Sequence, residues 1–187
     1  VDKSIIHQGD SVTISGQIVN RSGGTWTTGD STLVQLYLIV DGQKYADVFN
    51  ADKEGRFSYV WTPVRSQIGH VGIGACYPGE TIREEMASVD IYGMRFTSNS
   101  PISFSNTIGK PYSGTFAITN PSRAPLTRLV FTVTNNPDEA DIVFDAPEAI
   151  GGGETVAIGY TLTGGKIGGN NDWQEISFRV TTKEGPD

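Results

Sequence analysis

Hydrophobic and polar residues alternate with a period of two along nearly the whole chain, the pattern of strands with one buried face and one wet face. Val12, Ile14 and Ile18 mark it in "SVTISGQIV", and Val34, Leu36, Leu38 and Val40 in "LVQLYLIVDG". Phe57, Tyr59 and Trp61 follow, then Val71, Ile73 and Ala75 leading to the turn "YPGE", then Val89 and Ile91. No segment longer than about ten residues keeps a helical period. These strands define a first domain over residues 1–94.

"RFTSNS", residues 95–100, is short, polar and followed by Pro101, which suits a linker. The alternation then restarts for a second domain over 101–187. Tyr112, Gly114, Phe116 and Ile118 are followed by Leu129, Phe131 and Val133, then Ile142 and Phe144. Val156, Ile158, Tyr160 and Leu162 come next, and Ile176, Phe178 and Val180 close the set. Two blocks of about seven short strands with turn signals every 8–12 residues predict two tandem antiparallel immunoglobulin-like β-sandwiches.

Composition agrees with short strands and many turns: 23 Gly, 9 Pro and only two Met in 187 residues. A net charge of −7, with 14 scattered Lys and Arg, argues against nucleic-acid binding, which needs clustered cations to displace counterions from phosphates. The single cysteine, Cys76, excludes an intrachain disulfide, so each core must hold the fold by itself or with a bound ion. No apolar run approaches the ~18 residues of a membrane span, so no membrane insertion is expected. "VDKSIIHQGD" lacks a basic stretch followed by an apolar one, so no signal peptide is expected within these residues.

Candidate chemistry is sparse. Asp52-Lys53-Glu54-Gly55 has the composition of a calcium loop, but the twelfth position from Asp52 is Pro63, which offers no bidentate carboxylate. The stretch therefore reads as a turn in which Asp52 accepts backbone N–H bonds and Gly55 supplies a positive φ. Asp138, Glu139, Asp141 and Asp145 are the best candidates for a structural Ca2+, with solvated surface charge as the alternative. His70 and Cys76, six residues apart, would stand about 20 Å apart on one strand, too far for a catalytic dyad. Cys76 reads as a small buried or half-buried strand residue, and two histidines without metal-ligand spacing make no zinc site. With no nucleophile, base and orienting group in reach of one another, no enzyme activity is expected.

Trp61, alternating with Phe57 and Tyr59, reads as a core or half-buried residue. Trp26 in "RSGGTWTTGD" and Trp173 in "GGNNDWQE" fall in Gly-rich polar stretches read as loops. Exposed there, they would form a sugar- or protein-binding surface, with Asn170, Asn171 and Asp172 supplying hydrogen bonds beside Trp173. Folded back, they would be lids on their own sandwiches.

The turn sequences carry a family resemblance. "ADKEGRFSYVWTP" followed by "GHVGIGACYPGE" resembles a bacterial Ig-like pattern in which a hairpin ending in Trp-Thr-Pro leads to a strand closed by a Tyr-Pro-Gly turn. "GTFAITNPSRAPLTRLVFTV" with "PEAIGGGETVAIGYTL" resembles a second kind of surface Ig-like repeat, with Asn-x-Gly-x-x-Pro-Leu before one strand and Ile-x-x-Gly-Glu-Thr before another. Asn120-Pro121-Ser122-Arg123-Ala124 departs from that pattern, having no Gly in the tight position. The resemblance implies spacer or adhesive modules of large secreted or surface-anchored bacterial and archaeal proteins. A non-catalytic extracellular segment that spaces or presents its neighbouring domains is the leading expectation. A carbohydrate-binding or adhesive module, with a polysaccharide or surface protein as partner, is the second, and the accessory part of a secreted enzyme is the third.

Overall fold

A computed structural model of the chain describes residues 1–22, 25–28, 33–81, 84–97, 110–136, 139–164 and 175–186. The protein divides into two compact units, Val1–Tyr92 and Gly93–Asp187. It is all-β: every regular element among the described residues is a strand, arranged in several small sheets of which two are larger than the rest.

Unit 1 contains β1 (Ile5–Ile6), β2 (Val12–Gln17), β3 (Val19–Ser22), β4 (Thr25–Thr28), β5 (Leu33–Val40), β6 (Gln43–Asn50), β7 (Arg56–Trp61), β8 (Gly69–Cys76) and β9 (Ala87–Ile91). One sheet runs β1-β9-β8-β5-β6, while β2 pairs with β7 and β3 with β4. The pairings are antiparallel except β1 with β9, which is parallel. The β5–β6 hairpin closes through Asp41 and Gly42 at φ 53° and 75°, the two left-handed residues of the turn type that matches strand twist.

The alternating positions meet in one core. Val12, Ile14 and Trp61 from the β2–β7 pair pack with Leu36, Leu38, Val40, Val71, Ile73, Val89 and Ile91 from the five-stranded sheet. Across that pair Gly16 faces Phe57, whose ring fills the space a side chain at Gly16 would need.

The outer face of the five-stranded sheet holds a feature that alternation does not predict. Tyr37 points away from the core side yet has no exposed surface, because residues 84–86 fold back across β8. The Tyr37 hydroxyl donates to the Glu84 carbonyl at 2.7 Å, and the Met86 amide donates to the Ile73 carbonyl at 2.8 Å. Gly72 and Gly74 leave room beneath, for the Glu85 carboxylate and the Tyr37 ring respectively. Lys44 Nζ stands 4.5 Å from the centre of the Tyr37 ring. Burial, reinforced by the Cys76 thiol and the Glu84 carboxylate, raises the Tyr37 phenol above its ordinary pKa.

Unit 2 contains β10 (Arg95–Phe96), β11 (Tyr112–Thr119), β12 (Leu126–Thr127), β13 (Val130–Asn135), β14 (Asp141–Asp145), β15 (Ala149–Ile150), β16 (Thr155–Thr163), β17 (Ser177–Thr182) and β18 (Gly185–Pro186). Its sheets run β10-β11-β16-β14 and β13-β17-β18, with β12 paired to β15. Arg95 and Phe96, the first residues of the stretch read as linker, are strand and pair with Thr119 and Ile118. Residues 98–100 lie outside the described residues.

Phenylalanines join the two main sheets of unit 2. The Phe116 ring lies 6.2 Å from Phe131 and 5.4 Å from Phe178 on the opposite sheet, and Phe131 stacks on Phe144 at 4.6 Å. Tyr160 covers Gly114 across β11 and β16, as Phe57 covers Gly16 in unit 1.

Asn120 organises the turn that lacks the expected glycine. Fully buried, its Nδ2 donates to the carbonyls of Ala124 at 2.8 Å and of Ile150 and Gly151 at 3.1 Å. Its Oδ1 accepts from the Ser122 amide at 3.1 Å and the Ser122 hydroxyl at 2.8 Å. The Ser122 hydroxyl also lies 2.8 Å from the Ala124 carbonyl, so its single proton is shared between that oxygen and Asn120 Oδ1 and ties the turn together.

Candidate functional site

The acidic stretch at Asp52 is a turn built on its own carboxylate. Asp52 Oδ1 accepts from the amides of Glu54 at 2.9 Å and Arg56 at 2.7 Å, while the Gly55 amide donates to the Asp52 carbonyl at 2.9 Å. Gly55 adopts φ 73°. The turn is a corner and not a hairpin, because β6 and β7 belong to different sheets. It is tied to the end of β2 by the Ile18 amide on the Gly55 carbonyl at 2.8 Å and by Gln17 Nε2 on the Glu54 carbonyl at 3.0 Å. Beside it, Ser15, Gln17, Arg56 and Ser58 rim an open depression of about 630 Å3. Gly16, Asp52 and Phe57 complete a lining that is more apolar than polar.

Glu139, Asp141 and Asp145, the described residues of the calcium reading, do not gather. Asp141 and Asp145 project from the same exposed face of β14, but at opposite ends of it, about 13 Å apart at the rise of a strand. Glu139 is exposed in the preceding turn at φ 53°, a turn fastened by Asn136, whose side chain pairs with both the amide and the carbonyl of Ala140. Among the described residues, no three His, Cys, Asp or Glu side chains stand close enough to share a metal ion. Asp138 lies outside the described residues.

Trp26 is in a strand rather than a loop. It sits in β4 opposite Arg21 of β3. The run Thr-Trp-Thr-Thr has strong strand propensity, which outweighs the polar composition of its surroundings. Its side chain lies outside the described residues, as do Asn170, Asn171, Asp172 and Trp173 entirely. Trp61 is buried in the core of unit 1.

His70 and Cys76 are six apart on β8, as expected, and each has its own surroundings. Cys76 is half-buried, its thiol 3.9 Å from the Glu80 carbonyl. His70 is held between two carboxylates: Nε2 lies 3.1 Å from Glu85 Oε2, and the buried Nδ1 lies 3.5 Å from Asp90 Oδ1. Sequence reasoning missed this cluster. Asp90 faces His70 only through the β8–β9 register, and Glu85 only through the fold-back of residues 84–86, and no local spacing encodes either. The cluster puts acid and base groups together without a nucleophile, and it fastens the 84–86 segment to the sheet.

What fold and sites define together is an all-β protein of two units. No protein-family model and no curated protein sequence matches the chain. Among solved structures it is similar to a protein of unknown function from Porphyromonas gingivalis W83, with 13% identity over 85% of this chain and 78% of that one and a TM-score of 0.24.

Proposed function

We propose that the chain is a pair of immunoglobulin-like sandwiches serving as a non-catalytic spacing or presentation segment of a larger secreted or cell-surface protein. The observation that carries the reading is strand order. With the two-residue strands β12 and β15 left out, the seven other strands of unit 2, lettered along the chain, fall into sheets A-B-E-D and C-F-G, an order like that of a constant-type immunoglobulin domain. Unit 1, with the β3–β4 pair left out, sets a B-E pair against an A-G-F-C-C′ sheet, with the parallel A–G contact supplied by β1 and β9. Function follows here by fold-level analogy and by the likeness of the turn sequences to surface modules. The test is replacement within the parent polypeptide. An unrelated tandem pair of sandwiches should preserve what the neighbouring domains do if this segment spaces them. Loss of that activity, with retention of the isolated chain on a polysaccharide or surface protein, would overturn the reading.

A further inference from the structure

On the outer face of the five-stranded sheet, His70 of β8 lies between Asp90, its partner on β9, and Glu85, the middle residue of the 84–86 segment that crosses that face. A side chain at Gly72 would meet the Glu85 carboxylate at 3.0 Å, so the glycine is what lets that carboxylate reach the ring. Nε2 is 3.1 Å from Glu85 Oε2, whereas Nδ1 is 3.5 Å from Asp90 Oδ1, buried and without a hydrogen-bond partner. A neutral imidazole has one N–H and one lone pair. Donating to Glu85 from Nε2, it turns the lone pair of Nδ1 toward a carboxylate in a place closed to solvent. Donating from Nδ1 instead, it takes the donor away from Glu85. Only the imidazolium, with an N–H on each nitrogen, faces both carboxylates with a donor.

We propose that His70 is a proton-operated fastener for the 84–86 segment, holding it to the sheet more firmly when the ring is charged than when it is neutral. A proton on the ring converts an ordinary hydrogen bond to Glu85 into a charge-assisted one and the Asp90 contact into an attraction. The segment is therefore held most firmly below the titration of His70 and loosens as pH rises through it. On the same face, Lys44 of β6, the Cys76 thiol of β8 and the Glu84 carboxylate stand around Tyr37 of β5. Histidine is the side chain among these whose ordinary titration falls between pH 5 and 8. The inference stands on the geometry of unit 1 and holds whether or not the chain acts as a spacer.

Amide exchange of the full chain from about pH 5.5 to pH 8, above the ordinary carboxylate range and corrected for intrinsic rates, tests it. Protection at Met86, whose amide donates to the Ile73 carbonyl, should fall about three- to tenfold as pH rises, the difference between a charge-assisted and a neutral hydrogen bond at a half-exposed carboxylate. Its midpoint should coincide with the titration of the His70 ring followed by NMR, and protection at Leu38 in β5 should stay level. Glu85→Gln, which keeps an acceptor and removes the charge, should flatten the Met86 profile, and so should His70→Gln. His7→Gln, which removes the other histidine, should leave the profile unchanged. A Met86 profile that is flat in the parent, rises with pH, is matched at Leu38, departs from the His70 titration, or survives in Glu85→Gln or His70→Gln would overturn the fastener.

Discussion

Tyr160 lies across Gly114, its partner on the neighbouring strand, so closely that a Cβ added to the glycine would collide with the phenol ring. Phe57 bears the same relation to Gly16 in the other unit. The glycines lie on β2 and β11 and the rings on their partners β7 and β16. Gly114→Ala should therefore cost about 1–3 kcal/mol through overpacking. In a Tyr160→Leu background the same change should cost much less, and urea denaturation of the double-mutant cycle reads the coupling. Additive effects would show that the ring is not what excludes the side chain.

Asn120→Ala would remove the donor to the buried Ile150 carbonyl and the acceptor of the Ser122 amide, while the Ala124 and Gly151 carbonyls keep the Ser122 hydroxyl and the Glu154 amide. Each buried polar group so orphaned costs about 1–3 kcal/mol, so the variant should lose about 3 kcal/mol or more. Asn120→Asp, the same shape with no donor, should fare no better. Chemical denaturation of both variants checks the expectation, and a tolerated aspartate would refute the donor role of Nδ2.

Glu184 links acid stability to one contact. Burial pushes its carboxyl up, but the Thr127 hydroxyl at 2.6 Å and the Thr127 amide at 2.7 Å, with the residue's own amide and Lys183, pull it down further, and the net shift is downward. A carboxylate depressed in the folded state stabilises above its unfolded pKa, about 4.3, and that stabilisation disappears as pH falls through the lower folded value. Glu184→Gln should be less stable than the parent at pH 7, and the gap should close in acid. Melting temperatures from pH 7 to pH 3 would show this, and a gap that widened in acid would contradict it.

Tyr37→Phe removes one hydrogen bond, to the Glu84 carbonyl, and leaves the ring in place. Stability should fall by about 1 kcal/mol. Amide exchange of Met86, which donates to Ile73, should quicken as the segment loosens, while exchange in β5 stays slow. Unchanged protection at Met86 would mean that His70 and Glu85 alone hold the segment down.

Much of this architecture is legible in the chain because burial follows period two. Val12, Ile14, Leu36, Leu38, Trp61, Val71 and Ile73 alternate in sequence and meet in the core. β6 was not legible: Gln43–Asn50 is an edge strand exposed along most of its length, so it carries no apolar face to read. Tyr37 was misleading in the other direction, since its parity assigns it to solvent and only a segment some fifty residues later covers it. Two-residue strands such as β1 and β18 lack the length for any period. The turn at Asp52 was readable because its chemistry is local. The clustering of Asp141 with Asp145 failed because a shared strand face does not bring side chains four residues apart within reach of one ion.

The corner at Asp52 also bears on the order in which unit 1 folds. Its bonds join residues two to four apart in sequence, so closing it takes almost none of the chain entropy that pairing β2 with β7 must overcome. Short loops close in about 10–100 ns, long before distant strands find each other. Once formed, the corner fixes the direction in which the chain leaves one sheet for the other. Phe57, Tyr59 and Trp61 then enter the search for partners already aimed at the layer they will cover.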